Sequence, residues 1–239
     1  MKIKGGIITR GLLLIALIMT SCQKEETENE LFIESSQEEG FTSKTGYNDS
    51  ELVSSLETLT PVLYKQYSGS LSREDAETSF LEEVHKFMIE EKSASKSEAF
   101  IYIKVAIRTD TDPHSQTDGN VWGRINFLTN NGDYQVPWFR LNDPSRNDFE
   151  NGSWDFFYLK GHIPRSNWIE VKNATLALQG TDGWNVKWFD VHLQDDSRYS
   201  RASGRTDIYN NPEVWLDNTT NSGWDFYNTG NVGRGRLTF

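Results

Sequence analysis

From residue 100 onward, apolar and polar positions alternate along the chain; before it they do not. Phe100–Arg108 sets Ile101, Ile103, Val105 and Ile107 on one face, the period-two pattern of a half-buried strand. Val121–Leu128, Tyr134–Leu141, Trp154–Leu159, Trp168–Gln179, Trp188–Leu193, Glu213–Asp217 and Arg236–Phe239 repeat it, with Asp-Pro, Asp-Gly, Asn-Gly and Gly-rich breaks between them. Eight short strands without a helical run predict an all-β C-terminal domain over residues 98–239, an antiparallel β-sandwich. Strand spacing alone leaves a closed barrel open. Trp122, Trp154 and Trp188 alternate with polar neighbours in these strands and are expected in the core.

Upstream the periodicity is helical. Over 51–97 a short helical segment is predicted: moderate apolar spacing from Glu51 to Gln66 is broken by Pro61, and Ser72-Arg73-Glu74-Asp75 then reads as a helix N-cap. Phe80, Leu81, Val84, Phe87 and Met88 follow as one apolar stripe among glutamates. Residues 22–50 are rich in Glu, Ser, Thr, Asn and Gly, too poor in apolar surface to offset chain entropy, and are expected to form an acidic disordered tether.

Charge sharpens this division. The 239 residues carry 24 Lys+Arg and 35 Asp+Glu, a net charge of −11. Residues 22–100 hold seven basic and 18 acidic residues, whereas 101–239 hold 14 and 17. The acidity belongs to the tether and helix, all eight Trp fall after residue 100, and no basic footprint for nucleic acid exists. Residues 1–21 combine Lys2, Lys4 and Arg10 with an apolar run, Gly11–Met19, too short to span a bilayer. Met19-Thr20-Ser21-Cys22 resembles a bacterial lipobox, which implies a signal peptide (1–21) and a lipidated Cys22. Cys22 is the chain's one cysteine. Gln23-Lys24-Glu25-Glu26 is similar to the export signal that follows the lipidated Cys in surface lipoproteins of Bacteroidetes-type bacteria. Together these imply a lipid-anchored, surface-exposed outer-membrane protein.

Three blocks within the strand region resemble PLAT domains (polycystin, lipoxygenase, alpha-toxin). Thr117-Asp118-Gly119-Asn120-Val121 is similar to the family's T-D-A-N-V stretch, Asn147–Phe157 to its N-x-F-E-x-G-x-x-D-x-F run, and Trp188-Phe189-Asp190-Val191 to its W-F-x-x-x-V strand, in which the Trp plugs the core. The resemblance implies an eight-stranded antiparallel sandwich that associates with lipid, membrane or protein, often with calcium, and without catalysis of its own. Asp118 and Asn120 fall on the family's calcium-loop positions. The family's second acidic loop, before the W-F strand, reads Gln179–Asn185 here; its usual acid is missing, and Asp182, two residues on, is the candidate replacement.

Calcium takes six to eight hard oxygens, and Asp110 and Asp112 in the same loop as Asp118 could add to the set or serve as ordinary turn residues. Trp184, between Asp182 and Asn185, is the candidate exposed tip that wedges into lipid or stacks on a sugar. No nucleophile elbow, metal-ligand histidine spacing or phosphate loop is present, so no enzyme is expected. The reading is a lipoprotein whose sandwich binds calcium and lipid head groups or a protein partner. A carbohydrate-binding module with structural calcium, and an adhesion or structural subunit of an outer-membrane complex, remain alternatives.

Overall fold

Twelve strands and one helix account for the regular structure of the described residues. In chain order these are β1 (Leu59–Tyr67), α1 (Arg73–Ala94), β2 (Ile101–Thr109), β3 (Asn120–Thr129), β4 (Gly132–Gln135), β5 (Phe139–Arg140), β6 (Trp154–Gly161), β7 (Trp168–Gln179), β8 (Trp184–Gln194), β9 (Ser203–Ile208), β10 (Val214–Leu216), β11 (Trp224–Asn228) and β12 (Arg234–Thr238). The computed structural model describes residues 59–94, 101–142, 146–161, 166–194, 202–217 and 223–239. The expected signal peptide (1–21), Cys22, Gln23–Glu26 and the tether (22–50) lie outside them.

Every pairing is antiparallel, and the strands run β1-β6-β2-β8-β9-β12-β7-β3-β4, with β10 added to β8, β11 to β7 and β5 to β3. The two ends of this path face each other as a sandwich. Ile103, Val105 and Ile107 of β2 and Phe157 and Leu159 of β6 share one core with Val121, Ile125 and Phe127 of β3 and Leu176 and Leu178 of β7. The alternation read from the sequence is thus the inner face of two opposed layers. The strand number exceeds the eight expected because β1 joins the sheet from outside the predicted domain, the expected strand Tyr134–Leu141 divides into β4 and β5, β9 pairs between β8 and β12, and β11 adds to β7.

Within the segment expected to be helical (51–97), the described part Leu59–Tyr67 is corrected here: it is a strand and, among the described residues, pairs only with β6. Proline removes a ladder donor and is tolerated on an edge strand; the register shifts between Pro61 and Leu63. The boundary at residue 98 therefore does not separate a helical segment from a sheet. The helix itself starts where the cap predicts, with Asp75 N–H donating to Ser72 Oγ at 3.1 Å and Ser72 Oγ to Asp75 Oδ2 at 2.8 Å. Its Ala76, Phe80, Val84 and Met88 pack on the outer face of β2 and β6, against Tyr102, Ala106, Trp154, Phe156 and Tyr158. Phe80 stacks on Phe156 at 5.1 Å, while Leu81, expected in the stripe, stays exposed.

Candidate functional site

The candidate loops meet at one end of the sandwich. β2 runs into the 110–119 loop, β7 turns into β8 through Gly180–Gly183, and Asp118 N–H donates to Asp182 Oδ2 at 2.9 Å. Glycine makes the approach possible. A Cβ at Gly119 would stand 2.6 Å from Leu178 Cδ1, and Gly180, at φ +148°, lies where a Cβ would be 3.6 Å from Gly119 Cα. Asp118 and Asp182 are both exposed.

Of the other three predicted ligands, the side chains of Asp110 and Asn120 are engaged elsewhere and Asp112 forms a turn. Asp110 accepts from Thr111 N–H at 2.7 Å, from Lys187 Nζ at 3.3 Å and from Asn185 Nδ2 at 3.3 Å. Partial burial opposes ionisation of Asp110, but the bonds from Thr111 and Lys187 prevail and hold its carboxyl below the usual range. The Asp112 carbonyl accepts from Ser115 N–H at 3.1 Å, a turn contact. Asn120 Oδ1 accepts from the Arg140 guanidinium, and its Nδ2 donates to Gln179 Oε1 at 3.4 Å. Among the described residues no group of three or more His, Cys, Asp or Glu side chains is placed to hold a metal ion. The five-residue cage therefore does not assemble. The pair Asp118–Asp182 supplies two hard carboxylates on facing loops, a donor set that suits an open calcium site completed by backbone carbonyls and water.

Trp184 is not the exposed tip. It is fully buried, its ring centroid is 4.8 Å from that of Phe149, and its Nε1 donates to Thr109 Oγ1 at 3.1 Å. The expectation for Trp188 is corrected too. It is half-buried on the helix side, with the Arg73 guanidinium 5.7 Å from its ring, and Phe189 fills the core in its place. One irregularity causes both exchanges. Arg108 pairs Trp188 but Thr109 pairs Val186, a bulge at Lys187 that turns Trp184 and Val186 inward together with Phe189. Trp122 and Trp154 are buried as expected, though both lie outside the central core.

Sequence reasoning missed Trp215. It is 48% exposed on β10, opposite Asn185, and a Cβ at Gly183 would lie 3.7 Å from its ring and 3.9 Å from Asp217 Cβ. The exposed aromatic beside the acidic turn is thus Trp215, not Trp184. The signal was in Val214-Trp215-Leu216, where two buried-type residues flank one that must face out.

A second polar cluster lies under the helix. Arg73 reaches the fully buried Asp190 at 2.6 Å, Lys104 pairs with Glu77, and His192 is buried beside Tyr209 at 4.6 Å between ring centroids. Burial pushes the Asp190 carboxyl up to about 6 against the pull of Arg73. Burial, helped by Lys104, Arg73 and Arg205, pushes His192 down to about 3. These contacts pin α1 to the sheet.

No family model and no curated relative matches the sequence. Among solved structures, the chain is similar to the alpha-toxin of Clostridium absonum (22% identity, 58% of this chain and 34% of that one, TM-score 0.38). It is also similar to the alpha-toxin of an avian strain of Clostridium perfringens (17%, 56% and 33%, TM-score 0.38). A third is a coral 8R-lipoxygenase, whose calcium activation is ascribed to a C2-like domain (18%, 48% and 16%, TM-score 0.35). The chain spans about a third of each toxin and less of the lipoxygenase.

Proposed function

We propose that the chain is a lipoprotein held at the bacterial outer membrane through Cys22, displayed on the surface, whose PLAT-like sandwich is a non-catalytic module that associates with lipid. The lipobox-like run ending at Cys22, the adjoining Gln23–Glu26 and the three PLAT-like blocks support the anchor and the module. One observation carries the choice of surface. Trp215 stands exposed beside the Asp182–Gly183 turn, and that turn is tied to Asp118 across the loop end. An indole at a membrane interface sits at head-group depth, its body in the apolar region and its N–H toward water. Acidic side chains around it repel anionic head groups. Calcium at Asp118 and Asp182 supplies the positive charge that offsets this repulsion.

Vesicle flotation tests the reading. The chain from residue 22 with Cys22→Ala, which removes the anchor, should float with phosphatidylserine-containing vesicles in millimolar calcium and remain below them in chelator. Absence from the vesicles under both conditions would leave the sandwich without a lipid-binding role.

A further inference from the structure

Trp188, Asp190 and His192 take alternate positions on β8, on the side of the sheet that α1 covers, and the loop end uses none of them. With Tyr209 they form a cage whose walls all belong to the sandwich. The Arg73 guanidinium lies in it, 5.0 Å from the Tyr209 ring and 5.7 Å from that of Trp188. Asp190 is fully buried, and its Oδ1 accepts from the Asn210 N–H at 2.9 Å, which sets the carboxylate without help from α1. Its Oδ2 is 2.6 Å from Arg73 Nη2, yet among the described residues it accepts no hydrogen bond, so this contact is an ion pair out of donor alignment. His192 is 3% exposed, and its Nε2 also has no hydrogen-bond partner among the described residues. The remaining charges of this layer are paired with each other, Lys104 with Glu77 and Arg205 with Asp207.

Arg73 fills this cage imperfectly. It is the first residue of α1, where a cation opposes the helix dipole. Burial outweighs its pull on Asp190, whose carboxyl stands at about 6. A buried acceptor without a donor is costly, and Asp190 Oδ2 and His192 Nε2 are two of them, two residues apart on one strand face. We infer that the cage of Trp188, Asp190 and Tyr209 is a recognition site for the guanidinium of an arginine side chain presented by a partner, with Arg73 as its resident in cis. Two aromatic faces and a preset carboxylate suit a planar cation that stacks and donates in a fork; a compact, strongly hydrated ammonium fits them less well. Access exists from outside. Tyr209, 44% exposed, is the outer wall, and Arg73 follows the exposed Leu71-Ser72. Helix ends fray, so the first turn can withdraw Arg73 while Phe80, Val84 and Met88 stay seated on the sheet.

The test empties the cage and offers it a substitute. In the chain from residue 22 with Cys22→Ala, the further change Arg73→Ala should make the protein responsive to methylguanidinium, which at about 10 mM should raise Tm by binding the folded state. Butylammonium and tetramethylammonium at the same concentration should not. Adding Tyr209→Ala should weaken the methylguanidinium response about tenfold, the worth of one cation–π contact, and adding Asp190→Asn should remove it. A second measurement keeps Arg73 in place. L-arginine amide should raise hydrogen exchange over residues 73–79 and leave 80–91 unchanged, because it displaces the first turns alone; if Arg73→Ala does not fold, this result decides. No rise in Tm for folded Arg73→Ala, an equal rise with either ammonium ion, or an undiminished response after Tyr209→Ala would each overturn the assignment. So would exchange over 73–79 that L-arginine amide leaves unchanged.

Discussion

The edge strand β1 is joined to the sandwich by a buried carboxylate, and removing one oxygen tests that joint. Asp155 is inaccessible to solvent; its Oδ1 accepts from Tyr64 Oη at 2.7 Å and Gln66 Nε2 at 3.1 Å, and its Oδ2 from Ser153 Oγ at 2.7 Å. Burial pushes the Asp155 carboxyl from 3.8 up to about 6, although the bonds from Tyr64, Ser153, the Phe149 N–H and Gln66 pull it down. A carboxyl whose pKa is higher folded than unfolded contributes stability that is full below pH 4 and is lost as pH rises through about 6. A rise of this size corresponds to ~3 kcal/mol. Above pH 6 the ionised carboxylate therefore depends on its donors. Tyr64→Phe deletes one donor and keeps the ring, whose centroid is 4.9 Å from that of Phe157. A hydrogen bond to a charged group is worth about 1.5–3 kcal/mol and one to a neutral group about 1 kcal/mol. Urea unfolding should show Tyr64→Phe destabilised by about 2 kcal/mol at pH 8 and by about half that at pH 5. A loss below about 0.5 kcal/mol at pH 8, within the range of ordinary surface substitutions, would refute the placement of β1 and of its buried joint.

The two exchanged tryptophans should separate fold from function. Trp184→Ala is expected to cost about 3–5 kcal/mol in denaturant unfolding, as for a buried aromatic, whereas Trp215→Ala should cost less than about 1 kcal/mol yet abolish calcium-dependent flotation. His192, neutral when folded and pushed to about 3, contributes stability that is present above pH 6.5 and lost as pH falls from there toward 3. His192→Gln should accordingly flatten the fall of Tm between pH 7 and pH 4.5, and an unchanged slope would show that the ring is hydrated in the folded state.

How much of this could be read from the sequence depended on whether a residue's fate was decided locally. β7 was read with the bounds it has, Trp168–Gln179, because Ile169 and Val171 and then Ala174, Leu176 and Leu178 mark apolar alternation on either side of one shift in register. The cap at Ser72 was equally local. β1 was not: Pro61 reads as a break until an edge position and a shifted register accommodate it. β9 and β11 carry little apolar alternation and are strands because β8, β12 and β7 pair with them. At the candidate site, the approach of the two loops was what the resemblance of Thr117–Val121 and Trp188–Val191 to PLAT blocks implied, with Asp118 and Asp182 on the facing loops. The exchange of Trp184 for Trp215 was not, since a single bulge at Lys187 reverses every side chain before it. Nor was the loss of Asn120 to Arg140, which strand pairing places opposite Trp122 and so within reach of Asn120.

The lone cysteine makes the most direct test available. In a chain from residue 22 carrying Cys22→Ala and Trp215→Cys, position 215 holds the one thiol and accepts a bimane label, a planar apolar fluorophore in place of the indole. On anionic vesicles containing nitroxide-labelled lipid, calcium should shift the bimane emission to the blue and quench it most with nitroxides at head-group and upper acyl depth. Protein that floats with its label still water-exposed and unquenched would contradict the account, because the loop end with Asp118, Asp182 and position 215 would then face away from the membrane.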